Sequence, residues 1–294
     1  FNQSLNRYFQ YSKKRNILSS KDLFKCESYD VYIAGSDQIW NPYMPFNNLP
    51  YLLSFVSSDK QKIAYASSFA VKDIPAECIE TYKTLLSQYT SLSTRENGGR
   101  DIVYKLLNKE IPVVLDPVFL LSKDAWDNMR DKSYRANDNY VLLYSLHVNQ
   151  ELIKLGKRII NETGCKLYVV TAGFYDNKSL DGIEFLKDVG PTQWLNLIFN
   201  ARLFLTNSFH GTAFAIILKK PFISCIDKGS KMNDRIITLL CKLGYEDHLL
   251  DVESLSEDNN DFLSKAHRFT NVNEELLRKE IELSITYLNK AINK

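Results

Sequence analysis

The chain has 294 residues, 45% of them hydrophobic and 24% charged, and 37 Lys and Arg against 35 Asp and Glu leave a net charge of +2. Such a length suggests two domains of roughly 150 residues, with enough apolar side chains for ordinary buried cores. The near balance of charge excludes a general nucleic-acid binder, which carries a marked basic excess, but leaves room for a local basic pocket for a small anion.

Residues 1–28 are polar and aromatic and read as helix and loop, with Lys13, Lys14 and Arg15 as a solvated face. Tyr29–Ala34 is a predicted strand that feeds the loop Gly35-Ser-Asp-Gln-Ile-Trp-Asn-Pro42. A polar loop directly after a strand is a candidate site loop, offering Ser36, Asp37, Gln38 and Asn41 to a ligand and Trp40 to a ring. The same residues suit an Asx-type turn with Trp40 as a lid on the core, and both readings stand. Strands are predicted at Tyr51–Phe55 and Lys62–Phe69. Over Cys78–Tyr89 the spacing of Ile79, Tyr82, Leu85, Leu86 and Tyr89 predicts a helix. Leu92–Thr94 reads as a short strand, ended by Arg95 and Glu96 before a helix over Arg100–Leu107. Arg95, at a strand's carboxyl end, is placed to grip a carboxylate or phosphate with two hydrogen bonds; the alternative is an ion pair with Glu96 or a neighbour. Pro112–Leu115 reads as a buried strand, and Ser122 as the cap of a helix to Met129. The polar run 130–139 is the expected boundary between an N-terminal domain, residues 1–130, and a C-terminal domain, residues 131–294.

In the second half, strands are predicted at Tyr140–Leu146, Lys166–Val170 and Ile183–Leu186, and helices over Gln150–Ile160 and Pro191–Phe199, the latter with Pro near its start. Leu203–Leu205 then opens a strand–turn–helix–strand unit. Its polar corner is Thr206, Asn207 and Ser208; its helix starts with Phe209, His210, Gly211 and Thr212; its second strand is Pro221–Ile226. A turn at a strand's carboxyl end, beside the free N–H groups of a helix start, makes a ready anion site, and a histidine there can also move a proton. In the plain alternative, Asn207 or Ser208 caps the helix and His210 packs in a wall. Helices over Asn233–Leu243, which carries Arg235, and Asn273–Ile292 complete the chain. The alternation predicts an α/β fold with parallel sheets covered on both faces. The loops 35–42 and 206–211 each follow a strand, one in each half, where sites on such sheets lie.

Cys26, Cys78, Cys165, Cys225 and Cys241 are scattered without a CxxC pair, which fits neither a disulfide framework nor a zinc site and suits a reducing compartment. There is no HExxH, no phosphate-binding G-x-x-x-x-G-K-[ST] loop and no G-x-S-x-G elbow, and no Asp/Glu/His cluster suggests a metal. His147, His248 and His267 carry no motif and read as surface or packing residues. No apolar run approaches the ~20 residues of a membrane span.

Six segments occur in order: Ala34-Gly-Ser-Asp-Gln-Ile-Trp-Asn-Pro42, Lys62-Ile-Ala-Tyr-Ala-Ser-Ser-Phe69, Leu92-Ser-Thr-Arg-Glu96, Leu115-Asp-Pro-Val-Phe-Leu-Leu121, Gly190-Pro-Thr-Gln-Trp-Leu195 and Thr206-Asn-Ser-Phe-His-Gly211. Together they resemble the polysaccharide pyruvyl transferase family, over about residues 29 to 245. The resemblance implies two Rossmann-like domains similar to the GT-B glycosyltransferase fold, an acceptor side in the N-terminal domain and a donor side in the C-terminal one. It implies phosphoenolpyruvate as co-substrate, no cofactor and no metal, and as acceptor a sugar of a cell-surface polysaccharide or its lipid-linked precursor. The protein would be cytoplasmic, free or peripherally associated with the inner face of the membrane. Members carry a further βαβ segment before the stretch matching Tyr29; since 28 residues precede it here, the N-terminal domain is expected to be incomplete.

In that family the donor contacts come from an Arg after an N-domain strand, matched by Arg95, and from an Arg-Leu-His-Gly type motif. In the second, His210 and Gly211 match the His-Gly, Phe209 stands for the Leu, and Ser208 stands where those members have Arg. Arg235 is a candidate for the missing charge, with a helix-surface role as its alternative. The implied assignment is His210 as acid/base with Asp37 as runner-up. Arg95, Asn207, Ser208, Phe209, Gly211, Thr212 and Arg235 fall at the donor, and Ser36, Gln38, Trp40 and Asn41 at the acceptor. A nucleotide-sugar glycosyltransferase on the same fold and a non-catalytic sugar-binding protein stay open as alternatives.

Overall fold

The computed structural model describes residues 22, 29–44, 49–134, 139–146, 150–171, 182–227, 229–252 and 274–294. The basic cluster at Lys13–Arg15, and His147 and His267, lie outside the described residues. Two units form, one of Asn2–Leu120 with Leu277–Lys294, the other of Leu121–Leu276.

In the first unit, the β-branched and aromatic run Val31–Ala34 forms β1 and pairs in parallel with β2 (Gln61–Ala64), Val31 opposite Gln61 and Ala34 opposite Ala64. Single parallel bridges extend this layer: Asp37 to Ser67, Ile63 to Ser91, Ser67 to Thr94 and Thr94 to Val113. The expected strands at Leu92–Thr94 and Pro112–Leu115 are thus reduced to bridge residues. Pro112 has no N–H to give to a ladder. The strand from Lys62 stops at Ala64 because Ala66 (φ 53) and Ala70 (φ 56) turn left-handed. Tyr51–Phe55 is no strand: Leu49–Leu52 is a 3₁₀ turn, closed by Leu53 N–H on the Pro50 carbonyl at 3.0 Å. Pro50, with its fixed φ, favours the turn over a ladder. Helix α1 (Ile79–Leu86) buries Tyr82 and Leu86, and α2 (Asn97–Leu107) buries Ile102 and Val103, against a core that includes Trp40, Leu52 and Phe69.

The second unit begins with α3 (Lys123–Met129), capped by Ser122 as expected, its Oγ accepting from Ala125 N–H at 3.2 Å. It lies with this unit, ahead of the polar run at 130–139, because Trp126 packs edge-on against Phe214, centroids 4.8 Å apart. Then follow β3 (Tyr140–Ser145), α4 (Gln150–Thr163), β4 (Lys166–Thr171), β5 (Ile183–Phe185), α5 (Pro191–Asn200), β6 (Leu203–Thr206), α6 (Phe209–Ile217), β7 (Phe222–Ile226), α7 (Asp234–Leu243) and β8 (Leu249–Asp251). The sheet order is β5-β4-β3-β6-β7-β8 and every pairing is parallel. Val141, Leu142 and Leu143 of β3 and all of β6 are buried, as strands covered on both faces must be.

Counted within the unit, this order is 3-2-1-4-5-6, the doubly wound Rossmann arrangement, whose direction reverses between β3 and β6. The last helix, α8 (Glu274–Ile292), belongs from Leu277 onward with the first unit. There the Leu115 N–H donates to Ser284 Oγ at 2.9 Å, Tyr287 donates to the Ala64 carbonyl at 2.8 Å and Gln61 Nε2 donates to the Ala291 carbonyl at 2.6 Å.

Candidate active site

The turn after β6 stands at the carboxyl end of the strand beside the reversal, the place where doubly wound sheets bind ligands. Thr206 ties it down: its Oγ1 donates to the Tyr144 carbonyl of β3 at 2.8 Å and accepts from the Ser208 N–H at 3.1 Å. Ser208 is the N-cap of α6, its Oγ accepting from the Gly211 N–H at 3.3 Å. The Ser208 carbonyl accepts from the Thr212 N–H at 2.9 Å and from Thr212 Oγ1 at 3.1 Å, and Thr212 Oγ1 also lies 2.7 Å from Ser224 Oγ. The N–H groups of Gly211 and Thr212, expected for an anion, are therefore engaged inside the turn, and the Ser208 hydroxyl is occupied as a cap. Gly211 is required by proximity: a Cβ there would sit 2.3 Å from Thr206 Oγ1.

Helix α6 is buried along its whole length except at His210, which is half-exposed. Phe209, itself buried, sets its ring edge-on to the imidazole, centroids 5.4 Å apart. Asn207 is half-exposed at the corner. Arg235, on the first turn of α7, is buried, so its surface reading is not the one the fold adopts.

In the first unit, Ser36, Asp37 and Arg95 come together, joined by Glu96, the neighbour expected in the ion-pair alternative, and by Asp116, for which no role is read from sequence. Arg95 is fully enclosed. Nη1 donates to Asp116 Oδ2 at 2.7 Å and to Ser36 Oγ at 3.3 Å, Nη2 donates to Asp37 Oδ1 at 3.0 Å, and Nε is 3.9 Å from Glu96 Oε2. Burial pushes the Glu96 carboxyl above its ordinary range, against the pull of Arg95. Its Oε1 accepts from Phe69 N–H at 2.9 Å and Ala70 N–H at 3.3 Å, holding the left-handed stretch after β2. The sequence signals for Asp116 are its position after a buried run and before Pro117 and its place in the quoted segment Leu115–Leu121.

The other acceptor candidates separate. Trp40 is fully buried, its Nε1 donating to the Tyr51 carbonyl at 3.2 Å and its ring packed on Phe69 and Tyr89. It is a core lid, with no face to lay on a sugar. Asn41 is buried and closes the Asx turn: Nδ2 donates to Gln38 Oε1 at 3.1 Å and Oδ1 accepts from Tyr43 N–H at 3.0 Å. Gln38 stays half-exposed beside it. His248 is a packing residue, stacked on Phe222 at 4.5 Å. Among the described residues, no group of three His, Cys, Asp or Glu side chains could hold a metal ion, and no helix is long and apolar enough to cross a membrane.

Compared with known families, the chain matches the model for polysaccharide pyruvyl transferase over residues 1–228. The match takes in Arg95 and the 206–212 turn and ends before Arg235. No curated protein matches it. Among similar solved structures is the UDP-GlcNAc 2-epimerase from Neisseria meningitidis bound to UDP-GlcNAc, with a TM-score of 0.59 and 9% identity over 98% of this chain and 88% of that one. Another is the UDP-GlcNAc 2-epimerase of Methanocaldococcus jannaschii in complex with UDP-GlcNAc and UDP, with a TM-score of 0.50 and 18% identity over 86% of this chain and 71% of that one. At these identities the likeness is one of fold, α/β with parallel sheets of the GT-B type.

Proposed function

Because the chain belongs to the polysaccharide pyruvyl transferase family, we propose that it transfers a pyruvyl group from phosphoenolpyruvate to two hydroxyls of one sugar in a polysaccharide or its precursor. The observation that carries this reading is His210: the one open residue of a buried helix, at the reversal point of a Rossmann sheet.

The reaction protonates the CH₂ carbon of the enol ester and leaves an oxocarbenium-like centre at C2. One sugar hydroxyl adds there, phosphate departs, and a second hydroxyl closes the ketal. Of the two hydroxyl protons, one balances the new methyl group and the other leaves with phosphate. The chemistry needs a cation for the donor's carboxylate or phosphate and a group that moves protons near neutral pH. Arg95 is assigned the first task, through the Nη2 side of its guanidinium, since Nη1 is committed to Asp116. His210 is assigned the second, giving a proton to departing phosphate or taking one from a hydroxyl. Ser36 and Gln38 are assigned to sugar hydroxyls. No metal is given a part.

Phosphate release with phosphoenolpyruvate and a mixture of acceptor oligosaccharides tests this. His210→Ala is expected to lose ~10²–10⁴-fold in turnover, the usual worth of a proton-transfer group. A near-normal rate would remove His210 from the mechanism. Stabilisation of the fold by UDP and not by phosphoenolpyruvate would instead favour a nucleotide-sugar donor.

A further inference from the structure

The three carboxylates around Arg95 face water very differently. Asp116, 3% exposed, takes Nη1 and also accepts the Ser36 hydroxyl at 2.6 Å, while its Oδ1 accepts from Val118 N–H at 3.2 Å. Glu96, 1% exposed, is committed to Phe69 and Ala70. Asp37, at Nη2, is 61% exposed. Its main chain is pinned: it bridges to Ser67, its carbonyl accepts from Ser68 N–H at 3.0 Å, and it sits at φ 75 in the left-handed region that Asp tolerates. Its carboxylate can therefore turn into water by side-chain rotation, with the loop unmoved. Only the Asp37 end of this pair is solvated, so water can take over its carboxylate as it leaves, while the enclosed Arg95 keeps Asp116. Asp116 has no such exit, since separating a buried pair strands both charges.

We propose that Asp116 is the fixed positioning residue of Arg95, and that Asp37 is an exchangeable carboxylate, holding Nη2 until a carboxylate or phosphate of the ligand replaces it. The inference rests on Arg95 being an anion-binding residue. A guanidinium that is 0% exposed can receive a ligand only by giving up a partner, and of these three carboxylates Asp37 is the one that water can receive. An anion arriving with Asp37 in place would meet three carboxylates, Asp37, Glu96 and Asp116, already around one cation. With Asp37 turned outward, one negative charge fewer faces the ligand, Arg95 keeps Asp116, and the position at Nη2 that the carboxylate held can take an oxygen of the ligand. Asp37 then sets how strong an anion must be to enter, and it carries no proton in the reaction.

Titration calorimetry of the full chain with inorganic phosphate and with phosphoenolpyruvate tests the exchange. Asp37→Asn removes a negative charge beside the ligand and should tighten both anions by ~5-fold or more, the effect of about one unit-charge contact in water. Asp37 is exposed, so this variant keeps the fold, and its melting curve verifies that. Asp116→Asn should weaken both anions and raise the KM for phosphoenolpyruvate more than it lowers kcat, a split that general destabilisation does not produce. Unchanged or weaker phosphate and phosphoenolpyruvate binding by Asp37→Asn overturns the exchange. Tighter phosphate binding with no phosphoenolpyruvate binding keeps the exchange and overturns the donor. Normal turnover with the donor but no gain from Asp37→Asn leaves the donor and overturns the exchange.

Discussion

At the scale of single residues, the site depends on side chains that have no freedom to be anything else. Gly211 shows this most sharply. With a Cβ 2.3 Å from Thr206 Oγ1, Gly211→Ala must push α6 away from β6 or break the Thr206 bond to Tyr144. A loss of about 1–3 kcal/mol is expected, in the range of overpacked cores. Denaturant unfolding measures it, and a loss below ~0.5 kcal/mol, the level of a neutral surface change, would show that the helix can retreat freely. The position of His210 was legible before the fold, at the start of a helix after a strand and a polar corner, and the fold adds that it is the one residue of that helix not buried. The role of Asp116 was not legible. A carboxylate before a proline has many uses, and its partner Arg95 lies 21 positions away in sequence. The ambiguity at Trp40 had the same origin: sequence shows a ring in a polar loop, and only packing on Phe69 and Tyr89 decides which way it turns.

Among the elements, the cap of α6 makes a distinct prediction. Ser208→Ala removes the acceptor for the Gly211 N–H and should cost about 1 kcal/mol. Ser208→Asn, a comparable cap, should restore most of that stability. If Ser208 acts only as the cap, turnover of Ser208→Asn should stay near the unmodified rate; a large fall at full stability would place the hydroxyl in contact with substrate. Apart from β8 (Leu249–Asp251), too short to stand out and not expected, the elements of the second unit were readable because continuous apolar runs of strand length alternate with helical spacing over long stretches. In the first unit the signal is shorter. Strand-like residues at 92–94 and 112–115 contribute only bridges, and the apolar run at 51–55 follows Pro50, whose turn outweighs β-propensity. Propensity described the composition of these stretches correctly, and local backbone geometry overrode it.

For the whole molecule, stability should depend on pH through His248. Burial lowers the imidazole's pKa below 6.5 in the fold. The ring stacks on Phe222, and Nδ1 lies 3.0 Å from the Phe222 carbonyl, which places the proton on Nδ1. The unfolded chain takes a second proton more readily than the folded one. The contribution is therefore complete above ~6.5, the unfolded value, and declines as pH falls from there to the folded value. Melting curves from about pH 7.5 to 5.5 should show this decline, and His248→Phe should flatten it while keeping the stack. An identical slope in the variant would assign the decline to other groups.

The attachment of α8 to the first unit also orders events in time. A ribosome delivers the chain from its amino end, and domains made early can fold while later ones are still being built. Here the first unit receives its last helix late. Ser284, Tyr287 and Ala291, the partners of Leu115, Ala64 and Gln61, are added only after the entire second unit has emerged. The second unit can be complete while the first still waits for its last helix.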